Sequence, residues 1–236
     1  MFKVDDLSDK VSKMKLGDII NYVSDDDYYI PDDYDVEEFK IPIRVRLAEE
    51  VVRTARKIME KYDCSSNVLY KSATKLGAMI MKENEDIKLL EDISWFYDTV
   101  YFKAQEDGND YIIDIMYEYM EKIASTSNMF CFGRGIVAKS IYPYPKWRLI
   151  LNKFSYTMST TISNVYRIAI IYAFSTEYKL KSLDELVRSI QNVGAIRLGS
   201  VSSICKLIKD TDYAKYIKKK RKTLHPKLEE VIKRYL

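Results

Sequence analysis

Cysteine, histidine, glycine and proline are all scarce in this chain, and each shortage removes a class of function. Three cysteines (Cys64, Cys131, Cys205) stand far apart, odd in number and without a paired spacing. That excludes a disulfide framework and a zinc site built on paired cysteines, and it points to a reducing compartment. The single histidine, His225, lies in a basic stretch with no partner of catalytic type beside it in sequence. Seven glycines and five prolines in 236 residues supply no phosphate-cradling loop and no nucleophile elbow. So few breakers favour long helices and few tight turns instead. Long apolar runs are missing too. The longest, Ile168 to Phe174, is far too short to cross a membrane. No secretory leader opens the chain. The expectation is a cytoplasmic protein that is not an enzyme, with no catalytic residue, no metal, no cofactor and no membrane partner.

What is present describes a folded chain. Hydrophobic residues make up 47% and charged residues 31%, a globular balance, and the length allows one large domain or two small ones. Twenty tyrosines are unusual. Their rings suit the edge of a core, where the hydroxyl stays wet, and none is singled out as a nucleophile. Charge is unevenly placed. Residues 1–38 carry twelve acids and four lysines, so the remainder of a chain of net charge +3 is strongly basic. This acidic arm reads as a solvated segment, or more sharply as one that competes with nucleic acid for the basic surface. Within it, Leu16 to Val23 can form one short helix that docks on the body.

The densest signal runs from Lys40 to Glu83. Ile41, Ile43, Val45 and Leu47 alternate with Lys40, Pro42, Arg44 and Arg46, the period of a half-buried strand. The period then becomes helical at Val51, Val52, Ala55, Ile58 and Met59, with Glu49 and Glu50 where a helix N-terminus favours negative charge. Asp63 to Ser66 interrupt the pattern and offer a cap. A second amphipathic helix follows through Leu69, Ala73, Leu76 and Ile80.

On these residues the chain resembles the ribbon-helix-helix family of DNA-binding regulators, the Arc-like and MetJ-like repressors. The resemblance implies two such units whose strands pair as an antiparallel ribbon in the major groove, with outward side chains on base edges. It further implies a phosphate held at the N-terminus of each second helix. Carried onto this sequence, Lys40, Arg44 and Arg46 read bases, and Ser65, Ser66 and Asn67 bind phosphate.

A weaker version of the pattern returns downstream. Arg134 to Pro143 reads as a strand, Pro145 to Met158 as a helix and Ile162 to Tyr178 as a strongly apolar helix. Asn67-Val68-Leu69-Tyr70-Lys71 is echoed by Ser163-Asn164-Val165-Tyr166-Arg167, at an offset of 96 or 97 depending on one gap. The second strand alternates poorly, so its register is open by one residue, which exchanges its two faces. The matching roles fall to Lys139 for base reading and to Thr161, Ser163 and Asn164 for phosphate. Between the copies, two aromatic-rich segments around a Gln105–Asn109 loop predict a helical hairpin. Beyond Leu180 the chain reads as helices, with Ser182 as a cap and a loop at Asn192 to Ser200. It closes on the run Lys218, Lys219, Lys220, Arg221 and Lys222, a further phosphate contact, and a short helix after Pro226.

The expected fold is mainly α with a short two-stranded antiparallel β-ribbon: two ribbon-helix-helix units plus additional helices. The expected organisation is an acidic arm (1–38), a first unit (39–84), a helical hairpin (85–130), a degenerate second unit (131–179) and a basic helical region (180–236). The expected function is a sequence-specific regulator of double-stranded DNA, able to self-associate along it; its make-up also resembles small regulators of archaeal viruses and plasmids. Two rivals stay open. One is a structural nucleoprotein that packages DNA without sequence preference. The other is a protein-interaction module using the apolar Ile162–Phe174 helix.

Overall fold

The alternation at Ile43–Leu47 becomes strand β1, and Val137–Ile141 becomes β2. They pair antiparallel into a two-stranded sheet, Ile43 opposite Ile141, Val45 opposite Lys139 and Leu47 opposite Val137. Everything else regular among the described residues is helical. The computed structural model describes residues 11, 13–20, 22–32, 34–126, 130, 137–220 and 223–236, with Lys220 described in its backbone alone. In chain order the helices are α1 (Leu16–Ile20), α2 (Glu49–Tyr62), α3 (Ser66–Glu83), α4 (Glu85–Glu106) and α5 (Asp110–Thr126). After β2 come α6 (Pro145–Thr157), α7 (Ile162–Ser175), α8 (Lys181–Ile208), α9 (Asp212–Lys220) and α10 (Pro226–Tyr235).

These elements gather into two compact units. One takes the described residues of Met1–Asn84, Cys131–Tyr156 and Thr160–Val187; the other takes Glu85–Phe130, Thr157–Ser159 and Arg188–Leu236.

The first unit holds the sheet and is built twice over. Each strand is followed by a helix, a tight turn and a second helix. The first helices begin at Glu49 and Pro145, and the second at Ser66 and Ile162, both pairs 96 residues apart. The turns match at the same spacing. Asp63 and Ser159 are the two described non-glycine residues with left-handed backbone (φ 46° and 47°). Ser65 and Thr161 each cap the next helix, their hydroxyls accepting from the amides of Val68 and Asn164. The strands are offset by 94, because Tyr142 to Tyr144 make a longer entry into the second helical pair. Structure therefore settles the open gap at 96, aligning Asn67 with Ser163.

Packing explains why these two halves hold together. Val45, Leu47 and Ile141 of the ribbon are buried beneath it, and α3 and α7 bury nearly every face. Their contact is backbone against backbone. A Cβ added at Gly77 would stand 2.0 Å from the Ala169 carbonyl oxygen, so only glycine fits this crossing. Each fully buried Leu, Ile or Phe side chain contributes about 1.5–3 kcal/mol.

The acidic segment is woven into this unit. Helix α1 buries Leu16, Ile19 and Ile20, and the amides of Leu16 and Gly17 donate to Thr176 Oγ1 and Glu177 Oε1. Further on, the carboxylate of Asp27 is buried. It accepts from Lys75 Nζ and Trp147 Nε1, each at 2.6 Å, and from the Ser24 amide at 2.9 Å. Burial pushes the Asp27 carboxyl up, but these hydrogen bonds and the Lys75 charge outweigh it and hold it below its ordinary value. At Leu16–Ile20 and at Asp27, then, the segment is bonded structure where a solvated arm was expected, while Tyr34 to Glu38 are exposed as that expectation has it.

The second unit packs the α4–α5 hairpin, turned at Gly108 with φ +63°, against the later half of α8 and against α9 and α10. Here the expected loop at Asn192 to Ser200 is absent, and α8 runs unbroken through Gly194 and Gly199. Glycine costs a helix interior about 1 kcal/mol, which burial of Ile190, Val193, Val201 and Ile204 more than offsets. Arg197, inside that stretch, is 2% exposed and donates to Thr126 Oγ1 and the Met158 carbonyl. Burial pushes its guanidinium down to about 10. Ser182 does not cap α8. It lies in the first turn, where its amide and hydroxyl, with the Lys181 amide, donate to the carboxylate of Glu50 from α2.

Candidate nucleic-acid interface

The exposed side of the ribbon is the surface with most chemistry to offer. Opposed residues of an antiparallel pair project to the same face. The register therefore sets Arg44 beside Ser140 and Arg46 beside Ala138, all four exposed. Tyr142, two residues past Ser140, is 45% exposed. Neither arginine has an ion-pair or side-chain hydrogen-bond partner among the described residues, and no described carboxylate reaches either. An exposed pair of unengaged guanidiniums on a strand is free to present its forks to an external acceptor.

The other residues expected to read bases are elsewhere. Lys139 stands opposite Val45, which is fully buried, so it points to the inner side of the ribbon and is half-buried there. The open register is settled by this pairing: Ser140 and Ala138 occupy the outer places. Lys40 precedes the strand, in a 3-10 turn over Val36–Lys40, and is paired with Glu37.

The helix N-termini flank the ribbon unequally. Ser65, Ser66 and Asn67 are exposed at the start of α3, with Ser65 as the cap. At the start of α7, Thr161 is the exposed cap. The Ser163 hydroxyl donates to the Arg44 carbonyl oxygen at 3.0 Å, fixing this helix end against β1 at the arginine itself. Asn164 is tied inward, bridging Thr160 Oγ1 and the Arg167 guanidinium. Two helix termini with free first-turn amides carry partial positive charge toward the surface. Arg148 fixes the entry to β1, donating to the Ile41 carbonyl at 2.8 Å.

The basic run belongs to the second unit. Lys218 donates to a carbonyl at Leu236, Lys219 is exposed, and Arg221, Lys222 and the Lys220 side chain lie outside the described residues.

Two outer-face residues, Ser140 and Tyr142, carry no mark in the sequence pattern. The signal that finds them is the pairing register, since β2 alternates too weakly to declare its own faces. Among the described residues no helix is long and apolar enough to cross a membrane. No protein-family model, curated protein or solved structure matches this chain.

Proposed function

We propose that this protein is a sequence-specific regulator of double-stranded DNA whose β1–β2 ribbon enters the major groove. In this reading β1–α2–α3 and β2–α6–α7 are two ribbon-helix-helix units in one chain, doing what two separate chains do in the resembling family. The observation that carries it is the outer ribbon face, where Arg44 and Arg46 stand exposed and unengaged. Two strands about 4.8 Å apart form a blade that a groove about 12 Å wide admits. An arginine can donate two hydrogen bonds to one guanine edge, which no other base presents in that pattern. The exposed amides at the starts of α3 and α7 supply phosphate contacts that fix orientation without carrying sequence information. Lys218 and Lys219 add salt-sensitive attraction from the second unit.

The experiment is a competition. A regulator of this kind prefers its site over bulk DNA by about 10³-fold or more, whereas a packaging protein shows little preference. Replacing Arg44 and Arg46 together by alanine is expected to erase most of that preference, at about 1–3 kcal/mol for each arginine–guanine pairing removed. Residual, strongly salt-dependent binding should persist through phosphate contacts. A folded double variant that keeps the full preference sinks the proposal.

A further inference from the structure

We infer that the ribbon reads an asymmetric duplex site, with arginine-selected guanines on the side of the groove that β1 faces and no arginine-type selection on the side that β2 faces, so that one chain binds in one fixed orientation. This rests on the ribbon being the DNA-reading surface and adds what it reads. Any antiparallel pair of strands possesses a local twofold. Here Val45 and Lys139 face each other at the centre of the register, so the twofold passes between them. It exchanges Arg44 with Ala138 and Arg46 with Ser140, each pair 94 residues apart like the strands themselves. The backbone is therefore nearly symmetric while its outward chemistry is not. Both arginines lie on β1, one on each side of the twofold, and the equivalent places on β2 hold a methyl group and a small hydroxyl.

These side chains demand different things of DNA. Each arginine on a guanine edge discriminates by about 5- to 150-fold against other bases. Alanine offers only apolar contact, best met by a thymine methyl, and serine accepts or donates to almost any base edge. Tyr142, exposed just beyond Ser140, adds bulk on the β2 side alone, since its twofold equivalent is Ala48. The flanks repeat the imbalance. Ser163 is bonded to the Arg44 carbonyl, which locks the helix terminus next to the arginine-bearing strand. Two identical chains paired about a true twofold would impose a palindrome; one chain with unlike halves does not.

The test is selection of bound duplexes from a pool randomised over a central segment, using the full chain. The expected site is non-palindromic, with guanine enriched on one strand of the duplex and not at the twofold-related positions of the other. Exchanging either guanine in a fixed duplex should weaken binding about 5- to 150-fold, and changes at base pairs that neither arginine reaches less than about 5-fold. Arg44→Ala with Arg46→Ala should abolish the guanine enrichment and leave any preference at the remaining positions unaltered. Ala138→Arg with Ser140→Arg restores the missing symmetry on exposed positions, and its selected site should become nearly palindromic. A palindromic site for the unaltered protein overturns the inference while leaving the DNA-reading proposal standing. So does an Ala138→Arg/Ser140→Arg protein that is folded by circular dichroism and still selects the original site. Absence of any enriched sequence overturns both.

Discussion

Replacing Asp27 with asparagine removes one charge from the best-buried ion pair described in the chain, and the structure fixes what that should cost. The carboxylate is 2% exposed and its partner Lys75 is 4% exposed. Asparagine keeps an acceptor for Trp147 Nε1, now 2.6 Å from Oδ1, but turns an amide against the Lys75 ammonium, now 2.6 Å from Oδ2. Removing one member of a buried pair costs about 3–5 kcal/mol, because the other charge is left without its counterion. Lys75 retains the Tyr22 carbonyl at 3.1 Å and the Tyr22 ring at 4.9 Å, which places the expected loss near the lower end, about 3 kcal/mol. The assay is urea unfolding followed by Trp147 emission in a Trp95→Phe background, so that the first unit alone reports. Acid supplies a second reading. The folded-state pKa of Asp27 lies below its ordinary value of 3.8, so its stabilisation is present above that pH and is lost as pH falls through the lower folded value. The gap between parent and Asp27→Asn should therefore be constant near neutrality and close in acid. A variant within about 0.5 kcal/mol of the parent at neutral pH, the scatter expected of surface substitutions, refutes the reasoning. So does a gap that acid leaves untouched.

Other perturbations follow the same logic. Gly77→Ala must drive a methyl into the Ala169 carbonyl, so thermal unfolding should show a loss of at least about 1–3 kcal/mol, the usual cost of overpacking. Glu50→Ala strips three hydrogen bonds from the start of α8 and should cost about 1 kcal/mol, read in a chemical melt. Burial pushes the Glu50 carboxyl up, while bonds from the Lys181 and Ser182 amides, the Ser182 hydroxyl and the Lys181 charge bring it net below its ordinary value. That loss should accordingly shrink as pH falls through the carboxylate range. Deleting residues 1–38 should unfold the first unit rather than merely bare a basic surface, since it removes Leu16, Ile19, Ile20 and the Asp27 carboxylate from the core. Circular dichroism of the truncated chain checks it, and a native-like spectrum with an unchanged melt counts against it.

Local chemistry alone determined much of this molecule. The switch from period 2 to helical period at Leu47, the break at Asp63 to Ser66 and the charge at Glu49 and Glu50 are all properties of adjacent residues. They sufficed for β1, α2 and α3, and the echo near Asn164 sufficed to suggest a second copy. Other features could be decided only in three dimensions. β2 carries no clean alternation, so which of Lys139 and Ser140 faces outward depends on hydrogen bonds to a strand more than ninety residues away. Asp27 reads as one of many solvated acids until Lys75 and Trp147 close around it. The two glycines of α8 mark a loop by propensity, and buried neighbours override a cost of about 1 kcal/mol each. Propensity, capping and periodicity act over a few residues and are written in the chain. Register and the pairing of buried charges arise from contacts between distant segments, and only the tertiary structure decides them.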